Sequence, residues 1–146
     1  MRTHIDTYDR RFQKLKFRSE ILLEKTGNQR LYITAADGNT IGELILRSAG
    51  AVEQMIGGIT RRLWDDPFEW TLPERMQTVD AILAYLDEVE SSRKDGFLFF
   101  QTDDDLSKSL PAPVEMRTLF EVLDNALIRA ERYHAQAQEL LSTLPD

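Results

Sequence analysis

A chain of 146 residues has room for a single hydrophobic core. Its 18 Lys and Arg against 25 Asp and Glu, a formal net charge of −7, exclude nucleic-acid binding driven by counterion release. The absence of cysteine excludes a disulfide framework, a thiolate nucleophile and a Cys-ligated zinc site.

The first residues, Met1 to Asp9, are polar and lack the apolar centre of a signal peptide. No run approaches the roughly 18 apolar residues that a bilayer span requires. A cytoplasmic location, with no membrane and no nucleic-acid partner, is therefore the expectation. A first helix is expected from about Asp6 to Lys25, where Ile5, Tyr8, Phe12, Leu15 and Leu22 recur in i, i+3/i+4 steps. Gly27-Asn28 should end it, because both residues tolerate positive φ. Ala35-Ala36-Asp37-Gly38-Asn39 reads as a turn.

The second helix is expected to start at Thr40, where Thr40-Ile41-Gly42-Glu43 has the form of a capping box. Ile41, Leu44, Ile45, Ser48, Val52, Met55, Ile59 and Leu63 form its apolar stripe. Gly57-Gly58 costs helix propensity, about 2 kcal/mol for the pair, so a close helix crossing or a kink is expected there. Asp65 to Trp70 reads as a loop whose Trp70 and Phe68, with the neighbouring Trp64, cover the end of the molecule or wall a pocket. Thr71-Leu72-Pro73-Glu74 should open the third helix, with Met76, Val79, Ile82, Leu83, Leu86 and Val89 as its stripe. Phe97 to Phe100 has no strand partner in view and reads as a loop packed on the core. Asp103-Asp104-Asp105-Leu106 could cap one helical turn. Pro113 fits the first turn of a fourth helix, and Leu119, Leu123, Ala126, Leu127, Ala130, His134, Ala137 and Leu141 line its inner face. The fold class is all-α: one domain over residues 1–146, a four-helix bundle with at least one long connection, since the links between helices one and two and between three and four exceed what an up-down bundle needs.

Thr40-Ile41-Gly42-Glu43-Leu44 is similar to a Ser-Ile-Gly-Glu-Leu opening of helix two. Leu72-Pro73-Glu74-Arg75 followed by Ile82-Leu83-Ala84-Tyr85-Leu86 is similar to the start of helix three in the same family. The last helix, Thr118 to Leu123 leading into Tyr133-His134-Ala135-Gln136, resembles the segment that carries His-x-x-x-His there. On these residues the chain, from roughly Thr40 to Leu144, resembles the DinB/YfiT-like superfamily of metal-dependent four-helix proteins, which includes thiol transferases. The resemblance implies a divalent transition metal, zinc or nickel, held by three histidines and used with a low-molecular-weight thiol. The family's first histidine position is Arg47 here and its second is Ala130, so His134 alone remains.

An open catalytic zinc site needs about three protein ligands. His134 supplies one, His4 lies far off in sequence, and Glu53, Asp124 and Glu131 are the carboxylates on the relevant helices. His134 is then either a core histidine bonded to a neighbour or a ligand and catalytic group. Arg47 is either paired with Glu43 or a guanidinium for a small anionic ligand, with Ser48 beside it. Ser48 has no triad around it, the Glu-x-x-His motif of di-iron bundles is absent, and the Asp103–Asp105 run lacks the rest of a calcium loop. Three readings follow. The chain is a DinB-like bundle with a degenerate metal site and no cofactor, binding a small molecule or a partner. Or it is a thiol-dependent transferase or related enzyme using His134 as catalytic residue with Arg47. Or it is a structural or regulatory homodimer subunit.

Overall fold

The computed structural model describes residues 1–68 and 76–145, and within them four helices carry the structure. These are α1 (Thr3–Arg30), α2 (Ile41–Arg61), α3 (Val79–Phe97) and α4 (Leu119–Thr143). A five-residue 3-10 turn (Asp103–Ser107) and a hairpin of β1 (Ser109–Pro111) and β2 (Met116–Thr118) fill the link between α3 and α4. The all-α four-helix architecture is thus as expected from the periodicity. No described helix is long and apolar enough to cross a membrane.

Helices α1 and α2 each pack on both α3 and α4, and α2 against α4 is the most extensive contact. Helices α3 and α4 therefore face each other across one diagonal, and α1 and α2 across the other. This explains the long links 31–40 and 98–118, because each joins diagonal helices rather than neighbours. Leu31 and Tyr32 anchor the first of them: Gly42 N–H donates to the Leu31 carbonyl at 2.8 Å, and the Tyr32 hydroxyl to that of Met76 at 2.5 Å. A Cβ on Gly42 would lie 2.5 Å from the Tyr32 ring, so the bare backbone makes room for the tyrosine.

Several helix ends differ from the sequence expectation. Gly27 does leave the helix, at φ 71° and ψ 167°, but the chain resumes for another turn to Arg30. The Oδ1 of Asn28 then accepts the Val79 amide at 2.7 Å and so helps to start α3. That helix begins at Val79, capped by Thr78, whose side chain accepts from Ala81 N–H. Met76 precedes it, and the capping pattern at 71–74, like Trp70, lies outside the described residues. Thr40 caps α2 by accepting the Glu43 amide at 3.1 Å, while the Glu43 carboxylate binds Arg47. Helix α2 stops at Arg61, and Arg62 turns the chain back at φ 59°. A Cβ on Gly58 would meet the Trp64 ring at 2.3 Å, so the glycine pair admits this fold-back rather than a helix crossing. Leu63, assigned to the stripe, lies past the turn and is exposed.

Pro113 lies in the hairpin turn, not in a helix. Ser109 pairs with Thr118 and Pro111 with Met116 in an antiparallel register, a strand pair that the sequence reading did not include. Helix α4 opens instead at Thr118, with both halves of a capping box: the Glu121 amide donates to Thr118 Oγ1 at 3.1 Å, and the Thr118 amide to Glu121 Oε1 at 3.2 Å. The Asp103 carboxylate accepts the His4 and Ile5 amides at 3.1 Å, which supplies α1 with the N-terminal cap that its own Arg2 does not provide. Lys108 sits 2.6 Å from Asp105 and, with the Gln101 and Thr102 amides, holds that carboxyl down to about 2.

Among the described residues the core holds one fully buried charge. Arg93, on the inner face of α3, is 0% exposed. Its Nη1 lies 2.7 Å from Asp9 of α1, its Nε 3.2 Å from Glu90, and its guanidinium carbon 4.9 Å from the Phe97 ring centre and 5.7 Å from that of Phe12. The two rings meet edge to face at 6.0 Å. Removing one partner of such a cluster strands the others in low dielectric, which costs more than removing all of them. Arg93→Ala should lower unfolding free energy by about 3 kcal/mol in urea titrations. The triple change Arg93→Met, Asp9→Asn, Glu90→Gln should cost less than that single one.

Candidate functional site

His134 lies on the buried face of α4 and is 3% exposed. Its Nδ1 is 3.3 Å from the hydroxyl of Ser19, a buried residue of α1. Burial pushes the imidazole below its ordinary value, the neighbouring Arg18 charge adds to the shift, and Glu131 opposes it. Arg18 and Glu131 themselves pair across α1 and α4 at 2.5 Å. The ring is thus held neutral in an apolar setting with a hydroxyl partner.

The two positions where the resemblance would place further histidines carry different chemistry. Arg47 is half-buried and reaches back along its own helix, with Nε 3.1 Å and Nη2 3.0 Å from Glu43 Oε1. Ala130 is completely buried, and the hydroxyl of the buried Ser48 donates to its carbonyl at 2.7 Å. Small side chains at Ser48, Ala51, Ala126 and Ala130 let α2 and α4 approach closely enough for that bond. Ser48 is therefore a packing contact of the α2–α4 seam.

These residues do not fit the implied zinc or nickel. A guanidinium at 47 repels a cation, Ala130 has no donor atom, and one imidazole remains where three ligands are required. The carboxylates on the same helices have other partners. Glu53 accepts the Tyr85 hydroxyl at 2.5 Å, Asp124 that of Tyr8 at 3.4 Å, and Glu131 pairs with Arg18. Among the described residues no three His, Asp or Glu side chains are grouped as a metal would need. His4, at the start of α1, is fifteen positions from Ser19, or roughly 22 Å along the helix.

A small cavity lies inside the bundle between α1, α2 and α3. Lys16, Ser19, Ser48, Glu90 and Arg93 contribute its polar lining, and its volume is about 30 Å³. That is the space of a water molecule, too little for an organic substrate. Neither His134 nor Arg47 lines it. Lys16, Ser19, Glu90 and Arg93 are the polar residues here that the sequence did not single out. Arg93 carried a signal, since it continues the spacing Ile82, Leu86, Val89 on the apolar stripe. Ser19 carried none, because its partner lies 115 residues away.

A scan against protein-family models, a search of curated proteins and a search of solved structures each return no match for this chain.

A neutral buried histidine makes stability pH-dependent in a definite direction. The unfolded chain takes up a proton near pH 6.5 and the folded one only at lower pH, so stability is full above about 6.5 and falls as pH drops below it. Denaturant midpoints measured from pH 7.5 to 5.5 should fall, and should do so less steeply in His134→Asn. Ser19→Ala, which leaves Nδ1 without its hydroxyl, should cost about 1–3 kcal/mol at neutral pH by the same measurement.

Proposed function

We propose that the chain is a DinB/YfiT-like bundle whose metal site has been replaced by internal contacts, and that it acts by binding a small molecule or a partner rather than by metal-dependent transfer. One observation carries this reading. At each of the three positions where the family would hold its metal, the local groups are committed within the chain. Arg47 is bound to Glu43, the Ala130 carbonyl accepts from Ser48, and His134 Nδ1 meets Ser19. The helix-two opening at Thr40 and the placement of His134 on the inner face of α4 support the kinship.

A general base must also reach a substrate proton at about 3 Å, directly or through one water. His134 is enclosed, and the adjoining cavity holds no more than a water or two. Arg47, engaged with Glu43, would have to break an ion pair to orient an anion beside it. Binding at an open part of the surface asks for neither rearrangement.

Elemental analysis of protein purified without a tag tests the loss of the metal site. The expected result is less than a tenth of an equivalent of zinc or nickel. A stoichiometric metal that is lost in His134→Ala would overturn the reading.

A further inference from the structure

We infer that the cleft between α2, α4 and the β1–β2 hairpin is a binding site for a small organic anion with an apolar or aromatic body. This rests on the reading of the chain as a binding protein and supplies it with a site and a ligand class. The cleft has a volume of about 450 Å³, within the range of small-molecule sites and far above that of the cavity beside Ser19.

Its charge is opposite to that of the molecule. The chain as a whole carries a net −7, yet the cleft is lined by Arg117, Arg129 and Arg132 and by no Asp or Glu among the described residues. Asn125, Arg129 and Arg132 recur at i, i+4 and i+7, so α4 presents them along one side. Arg129 donates to the neutral Gln54 of α2 at 2.7 Å and has no carboxylate partner among the described residues. Arg132 has neither a hydrogen bond nor an ion pair among them. Among the described residues Arg117 meets only the exposed Glu115, at 3.3 Å. Two guanidinium groups, a turn apart and not neutralised, can take a carboxylate, sulfonate or phosphate through forked hydrogen bonds.

The remaining walls suit an apolar body. Met55, Val122 and Ile128 line the helical side, and the hairpin turn brings Val114, 92% exposed, over the opening. Trp64 closes one end, held by its indole N–H donating to the Pro111 carbonyl at 3.1 Å. The Trp64 ring is in turn seated on Gly58, where a Cβ would collide with it. The glycine pair at the end of α2, the aromatic wall and the hairpin therefore form one connected construction around the cleft.

Two probes that share a body and differ in charge test this. They are 1-anilinonaphthalene-8-sulfonate and its uncharged analogue N-phenyl-1-naphthylamine, titrated against the whole folded chain by calorimetry and fluorescence. The sulfonate should bind one to one and at least tenfold more tightly than the neutral analogue. The double change Arg129→Gln, Arg132→Gln should weaken sulfonate binding at least tenfold and leave the neutral analogue within twofold. Val114→Asp, at a solvent-exposed position that the fold does not need, should weaken the sulfonate by opposing charge, which keeps the test open if the arginine variant folds poorly. Equal affinity for the two probes, or sulfonate binding that is unchanged by both sets of substitutions, overturns the inference. Metal content at His134 is measured separately, so a failure here and a failure of the metal-free reading are told apart.

Discussion

The contact on which the rest of the bundle depends is the burial of Arg93. A guanidinium with no exposure to water is tolerable only because Asp9 and Glu90 neutralise it and the Phe12 and Phe97 rings cover its faces. Asp9 and Phe12 belong to α1, whereas Glu90 and Phe97 belong to α3. The cluster therefore sets how these two helices lie against each other. Phe97 passes the constraint to Phe100, at 5.3 Å between ring centres, and so to the start of the α3–α4 link. A lysine could supply the charge at position 93, but it has neither the fork that reaches two carboxylates nor the plane that stacks between two rings.

On the opposite side of the bundle, polar groups serve a different end. The α2–α4 seam is built from small residues, and the Ser48–Ala130 hydrogen bond records how close the two backbones come. A histidine at 130 would need volume that this approach has already filled. The interior therefore favours close packing at the place where a metal site would require open space. His134 is paired with a hydroxyl from α1, which stabilises a neutral ring in a buried setting. At the surface, α4 turns Arg129 and Arg132 toward the cleft beside the hairpin.

Periodicity made the four helices legible, because their apolar stripes are long and spaced by three and four. Thr40 was readable as a cap for the same reason that it works as one: its oxygen meets the Glu43 amide. The start of α4 was obscured although Thr118 and Glu121 spell the same pattern, since Pro113 offered a competing signal five residues earlier. The hairpin left no trace, as strands of three residues are too short to show alternation. Gly57-Gly58 announced a close approach without saying to what, and the answer, Trp64, depends on a fold-back that local sequence does not encode. Of the candidate site, His134, Arg47 and Ser48 were identifiable as residues. The Glu43 partner of Arg47 was legible from its i, i+4 spacing, whereas Ser19 and Ala130, the partners of His134 and Ser48, come from α1 and α4, which only the tertiary arrangement brings to them.

The cap on α1 has a consequence for how the chain reaches its native state. Asp103 binds the amides of His4 and Ile5 across separations of 99 and 98 residues. During synthesis the first turn of α1 therefore lacks this carboxylate cap, its N–H groups left to water, until the residues up to Asp103 have followed. Such long-range closure slows folding, because loop entropy must be overcome before the contact forms. It also joins the first turn of α1 to the α3–α4 connector in one cooperative unit, so that fraying of that turn and release of the 3-10 turn become a single event.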